Sequence, residues 1–160
     1  MCHQEVIKKQ IIMKLYESFV LLIYMFERIY SIGCFDFLHH GHEKLLNSMD
    51  KMGKQLIIGI HDDNSLEQLK NLKSSEHQSL KIRMENLKRY ADIIFVVPNT
   101  DPTFYLQNVI SKNDNKENAC FVRGDDMPNF PGRSFVEDKI ELIFLPYTEG
   151  ISSSIIRKEL

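Results

Sequence analysis

From Arg28 onward, short apolar runs alternate with longer stretches in which apolar positions recur at helical spacing. Ile29 to Phe35 reads as a strand entering a turn, and Gly41 to Met52 as a helix closed by Gly53. Gln55 to Ile60 is a short apolar strand, and the polar stretch Asp62 to Ser75 reads as an irregular, mobile loop. Gln78 to Tyr90 again has helical spacing, and Ile93 to Val97 is a buried strand stopped by Pro98. Pro102 to Ile110 is helical, followed by a polar loop from Ser111 to Asn118. Ala119 to Val122 is a strand running into Arg-Gly-Asp-Asp, Ile140 to Leu145 is the last strand, and Ser152 opens a final helix. This alternation predicts an α/β fold, an open and doubly wound parallel sheet with helices on both faces. Ligands of such sheets sit beyond the carboxyl ends of the strands, where the strand order reverses.

The first 27 residues stand apart as a helical extension, leaving 28–160 as the main domain. Ile11, Ile12, Leu15, Phe19, Leu22, Ile23 and Phe26 share one helical face, with Lys14, Glu17 and Ser18 across from them. That face is expected to bury against the core or a second copy, giving a homodimer. Lys8 and Lys9 precede the apolar run, as in a signal peptide, but no small-residue cleavage site follows. The uninterrupted part, Phe19 to Phe26, is much shorter than the roughly 20 residues of a membrane span. No transmembrane segment is expected. An interfacial anchor is the weaker reading, because the polar face is not markedly basic.

Composition narrows the partners. A chain of 160 residues with net charge −2 has the size of one ordinary domain and no overall electrostatic footprint for nucleic acid or anionic membranes. Phosphate, if handled, must be handled by a local site. Cys2, Cys34 and Cys120 show no paired spacing, which points to a reducing, cytoplasmic setting without a disulfide frame or zinc site.

The candidate chemistry lies in Gly33-Cys34-Phe35-Asp36-Phe37-Leu38-His39-His40-Gly41-His42, between a predicted strand and the start of a predicted helix. Gly33 permits close approach of a ligand and Gly41 a tight turn. His39 and His42, three apart, can point the same way from the helix start, whose free N–H groups make an anion site. Two imidazoles over that site can donate to a phosphoryl group as its charge grows. The competing readings are incidental histidines or a zinc pair. No carboxylate or thiol at helical spacing completes a metal set, so no metal site is expected. Ser152, Ser153 and Ser154 are helix caps that can also offer hydroxyls to a second anion cradle, or cap in solvent alone.

With those residues in view, the chain resembles the His-x-Gly-His nucleotidyltransferase superfamily, and within it the cytidylyltransferase branch. Leu56-Ile57-Ile58-Gly59-Ile60-His61-Asp62-Asp63 resembles the second strand and its loop, and Val122-Arg123-Gly124-Asp125-Asp126 the Gly-Asp-Asp turn. Lys88-Arg89-Tyr90-Ala91-Asp92 resembles the Arg-Tyr-Val-Asp segment, and Thr148-Glu149-Gly150-Ile151-Ser152-Ser153-Ser154 the Thr-Glu-Gly-Ile-Ser-Thr signature. The likeness runs from about Arg28 to Leu160. It implies a Rossmann-like domain that moves CMP from CTP onto a small alcohol phosphate, with Mg²⁺ accompanying the nucleotide.

By resemblance, His39, His42 and Lys70 are catalytic. Gly33, Cys34, Phe35, Gly41, Arg89, Asp92, Gly124, Asp125, Thr148, Gly150, Ile151 and Ser152 to Ser154 hold the nucleotide. Asp36, Asn99 and Asp126 border the acceptor, while His40, His61 and His77 have no role beyond surface or loop. The alternatives are an adenylyltransferase of the same superfamily or a nucleotide-binding regulator.

Three departures matter. Tyr147 stands where the family has arginine, so Lys70, Lys73 or Arg123 must supply the charge, or activity is low. The arginine opening the helix after the loop is matched by Lys81, or by Arg83 with a shifted register. Ile32, Asn99 and Asn129 replace the carboxylate and aromatics of choline enzymes, which favours glycerol 3-phosphate over phosphocholine, with phosphoethanolamine between.

Overall fold

The computed structural model describes residues 3–23, 25–146 and 152–160, with side chains of 18–23 left aside. Five strands form one parallel sheet: β1 (Phe26–Gly33), β2 (Gly53–His61), β3 (Ile93–Val97), β4 (Ala119–Gly124) and β5 (Glu141–Leu145), in the order β3-β2-β1-β4-β5. This is the doubly wound, Rossmann-like α/β fold that the alternation predicts. The order reverses at β1, so a cleft opens between the carboxyl ends of β1 and β4.

Burial on both faces explains why the strands read as continuous apolar runs. Ile29, Leu56, Ile58, Ile60, Cys120 and Val122 point to one core layer with Leu46, Met49 and Leu87. Their neighbours Tyr30, Ile32, Ile57, Ala119 and Phe121 point to the other, with Leu106, Val136 and Ile140. The first layer is closed by α2 (His40–Asp50) and α4 (Leu80–Leu87), the second by α5 (Thr103–Val109) and α6 (Arg133–Lys139). Gly53 does not close α2, which ends on Lys51. It opens β2, where a Cβ would stand 2.5 Å from the Phe26 carbonyl oxygen.

Two expectations need correction. Asp62 to Ser75 is not an irregular loop: it contains α3 (Asp63–Lys70) and a short 3-10 turn, Ser74–Glu76. Asp62 caps α3 by accepting from the Ser65 N–H at 2.8 Å, Asn71 ends it in the left-handed region, and Leu66 anchors it in the core.

The second concerns α1 (His3–Ile23), which is helical: its described side chains do not dock on the core, while Phe19, Leu22 and Ile23 of the expected face have side chains outside the described residues. Val6, Ile7, Ile11, Ile12, Met13, Leu15 and Tyr16 are all exposed. Ile7, Ile11 and Leu15 follow one stripe while Ile12, Met13 and Tyr16 lie off it, and the α/β core is already closed by its own helices. Phe26, assigned to that helix in sequence, belongs to β1. Among the described residues, no helix is long and apolar enough to cross a membrane.

Candidate active site

The turn from β1 to α2 is built around two histidines that serve as each other's caps. His39 is the N-cap residue, and its Nδ1 accepts the backbone N–H groups of Gly41 at 3.0 Å and His42 at 3.4 Å. His42 Nδ1 in turn accepts the backbone N–H of His39 at 3.3 Å. The pair forms a capping box in imidazole, satisfying donors that a helix start otherwise leaves orphaned. An Nδ1 that accepts must be unprotonated, so each neutral ring carries its proton on Nε2. The rings stack with centroids 3.9 Å apart. Burial, followed by the electrostatic influence of His39 and Lys70, pushes His42 down to about 3, and burial also lowers His39. Both rings are therefore neutral N–H donors at pH 7.

Both histidines border a cavity of about 350 Å³ at the reversal point of the sheet. A second chamber of about 230 Å³ adjoins it on the side of Thr100, Asn129 and Phe130. The seam between them is shared by Gly33, Phe35, His42 and Ser153 and by three cations, Lys70, Arg123 and Arg157. Lys70 arrives from the last turn of α3, Arg123 from β4, and Arg157 from α7 (Ser153–Glu159). Arg123 also covers the Phe130 ring at 4.7 Å and donates to the Met127 carbonyl.

Two buried charges hold these segments together. Arg83, fully buried in α4, donates to the carbonyls of Cys34 and His61, both at 2.8 Å, and to that of Gln78 at 3.1 Å. Its remaining Nη reaches Asp63 at 2.8 Å. One guanidinium thus ties the loop after β1, the end of β2, the start of α3 and the entry to α4. Asp36, 2% exposed, accepts from the Gln78 N–H at 2.9 Å and pairs with Arg157 at 3.0 Å, while its carbonyl takes the Ser153 hydroxyl. Phe35 and Phe37, on either side of Asp36, are left-handed at φ 50° and 46°. Non-glycine residues hold that conformation only where surrounding bonds impose it.

A profile of the cytidylyltransferase-like family matches residues 30–159. The chain belongs to the cytidylyltransferase-like family. It is 35% identical over 137 residues to a glycerol-3-phosphate cytidylyltransferase of Bacillus subtilis, a match covering 84% of this chain and 97% of that one. A glycerol-3-phosphate cytidylyltransferase of Staphylococcus aureus is 34% identical over 139 residues, covering 84% and 95%. The bifunctional protein HldE of Coxiella burnetii is 33% identical over 128 residues, which are 76% of this chain and only 25% of HldE. A solved lipopolysaccharide core biosynthesis protein from Thermoplasma volcanium superposes with TM-score 0.61 at 15% identity, covering 77% of this chain and 98% of that one. That last likeness is one of fold.

Within this family member, the signature residues divide. Gly33, Cys34, Phe35, His39, Gly41, His42, Lys70, Gly124, Asp126 and Ser152 to Ser154 all border the two chambers. Arg89 and Asp92 do not. Asp92 precedes β3 and accepts from the Leu56 N–H at 2.7 Å, at the opposite end of the sheet, while exposed Arg89 lies against Tyr90. Asp92 links the start of β3 to β2, and neither residue lines the cavity. Asn99 and Asp125 also lie outside the lining: Asn99 caps the turn before α5, and the Asp125 N–H donates to the Leu145 carbonyl. Asp36 borders the second chamber, but both its carboxylate oxygens are taken by the protein. Tyr147, Thr148, Gly150 and Ile151 lie outside the described residues.

Three residues acquire places that sequence reading did not give them. Of the two candidates for the helix-opening arginine, Lys81 is exposed and Arg83 is buried against the Cys34 carbonyl. His61 is buried, with Nδ1 at 2.9 Å from the Asn99 carbonyl, and borders the second chamber. His77 bridges to Glu67 of α3 at 2.8 Å.

Proposed function

We propose that this protein transfers the cytidylyl group of CTP to a small alcohol phosphate, releasing pyrophosphate and a CDP-alcohol. The observation that carries the reading is the pair of neutral Nε2–H donors, fixed by reciprocal capping, beside a seam lined by three cations. Two phosphate-bearing substrates meeting there would bring several negative charges into one enclosed site, and fixed N–H donors and cations are what that meeting requires. An acceptor phosphate oxygen attacks the α-phosphorus while the bond to the bridging oxygen of pyrophosphate breaks. The attacking oxygen is already anionic, so no general base is needed, and catalysis rests on positioning and charge. His39 and His42 donate to the α-phosphoryl oxygens, and Lys70 lies along the triphosphate.

Among the described residues, no three His, Cys, Asp or Glu side chains are grouped to hold a metal. Mg²⁺ would enter on the triphosphate, as that ion commonly does, with Asp126 as the carboxylate at the cavity edge. Its contribution there is neutralisation of phosphate charge.

For the acceptor we favour a hydroxylated molecule such as glycerol 3-phosphate over phosphoethanolamine and phosphocholine. His61, Thr100 and Asn129 border the second chamber, and hydroxyl groups suit them as partners. The Phe130 face, which a quaternary ammonium would need, is already covered by the Arg123 guanidinium. The names of the Bacillus and Staphylococcus relatives support the same class. Pyrophosphate release, measured with CTP or ATP against the three acceptors, tests the reading. Release with CTP and glycerol 3-phosphate well above the other pairs is the expected result. Faster release with ATP makes the protein an adenylyltransferase, and binding without release makes it a regulator.

A further inference from the structure

A third histidine at the site presents the opposite chemistry to the pair at α2. His61 ends β2, where the register sets it beside Val97 of β3, and Arg83 holds its carbonyl at 2.8 Å. Its Nδ1 lies 2.9 Å from the Asn99 carbonyl. A carbonyl oxygen can only accept, so the proton of the neutral ring sits on Nδ1 and Nε2 carries a lone pair. Burial, the largest influence, lowers its pKa against the pull of the Asn99 and Val97 carbonyls, and Arg123 adds to the fall. His39 and His42 have the reverse arrangement, with Nδ1 accepting and Nε2 left to donate.

Among the described residues, no buried side-chain nitrogen or oxygen lacks a hydrogen-bond partner. His61 Nε2 has none among them, so it is not sealed in. The ring, in a residue only 6% exposed, opens on the second chamber, whose wall it helps to form. Positive charge dominates the seam beside it, where Lys70, Arg123 and Arg157 stand. Asp36, the carboxylate on that wall, is already paired with Arg157. A ligand that sets its phosphate against those cations and fills the chamber meets a lone pair at His61, and must bring an N–H or O–H to it. Three nearby cations disfavour an ammonium, which leaves a hydroxyl. A trimethylammonium has no donor at all and would desolvate Nε2 without replacing the bond.

We infer that His61 determines acceptor specificity, its Nε2 lone pair accepting a hydrogen bond from a hydroxyl of the phosphorylated acceptor. The inference rests on the transfer reading only for placing the acceptor in the second chamber. Held at its carbonyl by Arg83 and at Nδ1 by Asn99, the ring has little freedom to lose when the ligand arrives.

The probes are glycerol 3-phosphate, which carries hydroxyls, and propyl phosphate, which has none. With CTP saturating, the parent should prefer the first by about tenfold or more in kcat/KM. Asparagine can put its side-chain N–H where Nδ1–H stands, keeping the bond to Asn99, and has nothing in the place of Nε2. His61→Asn should therefore lose most of the preference, which a purely structural histidine would not control. Glutamine reaches the place of Nε2 with its oxygen, so His61→Gln should retain more of the preference despite losing the Asn99 bond. No preference in the parent, or an equal one in folded His61→Asn, overturns the inference. Should His61→Asn not fold, or the parent not turn over, nitrogen NMR of the parent decides. The His61 ring, assigned through bonds from its own Cβ, should carry its proton on Nδ1. Its Nε2 resonance should move with glycerol 3-phosphate and not with propyl phosphate. A proton on Nε2, an unmoved resonance, or equal movement with both probes overturns the inference. Movement with glycerol 3-phosphate alone, in a chain that releases no pyrophosphate from CTP, would sink the transfer reading and leave His61 with its ligand.

Discussion

His39 and His42 hold each other's backbone: each ring's Nδ1 accepts the main-chain N–H of the other residue, at 3.4 Å and 3.3 Å. A residue pair that caps a helix and also lines the cavity carries two separable tasks, and variants can part them.

Asparagine is a good N-cap but has no group in the place of Nε2. His39→Asn should therefore keep the stability that His39→Ala loses, about 1 kcal/mol. Both variants should lower turnover by a factor on the order of 10². Urea unfolding and pyrophosphate release, measured on the same preparations, separate the two effects. Turnover in His39→Asn close to that of the parent would place the chemistry elsewhere.

The neutral rings also set a pH dependence. An unfolded histidine takes up its proton near 6.5, whereas His42 in the folded chain does so only at about 3. Between those values the unfolded state binds more protons, so stability should rise with pH across this window and fall as acid is added. Above the unfolded value the term is fully present. Unfolding free energies at pH 4, 5, 6 and 7 should show this slope, and His42→Gln should flatten it. An equal slope in His42→Gln would mean that other groups govern the acid limb.

Asp36→Asn offers one oxygen to partners that now use two, leaving either the Gln78 N–H or Arg157 without an acceptor. Removing one member of a buried pair costs roughly 3–5 kcal/mol, and this pair, 2% and 13% exposed, should lie toward the lower figure. Denaturant titration checks the loss. Parental stability in Asp36→Asn would show the pair to be incidental.

Deleting residues 1–24 should leave the domain's melting temperature within about 2 °C, because the described side chains of α1 are exposed and β1 begins only at Phe26. The apolar side chains left uncovered on α1 should instead govern self-association. Light scattering of the full chain and of 25–160 tests this, with the full chain expected as the larger species. Equal masses would reduce α1 to an appendage, and a large drop in melting temperature would show that it packs on the domain.

The central strands were legible because they are buried on both faces, and Ile57-Ile58 then reads as an unbroken apolar run, whereas the edge strand β3, expected to be buried, leaves Ile93 exposed. The histidine site was legible because its partners are three residues apart. α3 was not, since its body is polar and its helix is announced by Asp62 and Asn71 rather than by periodicity. The contacts of Arg83 and Arg157 were hidden for another reason. Arg83 meets the Cys34 carbonyl across 49 positions and Arg157 meets Asp36 across 121, distances at which spacing carries no signal. Arg89 and Asp92 show the converse: a motif in the right place along the chain stands at the end of the sheet away from the cavity.

The pairing of Asp36 with Arg157 has a consequence for the order of events during synthesis. Gln78 follows Asp36 by 42 positions, but Ser153 and Arg157 follow by 117 and 121. At 5–20 residues per second, roughly 6–24 s separate the translation of Asp36 from that of its cationic partner. Strands β1, β2 and β3 can pair in that interval, while the loop after β1 waits without the contact that fixes it. Half of the sheet is thus synthesised and free to pair before the loop after β1 gains the partner that holds it.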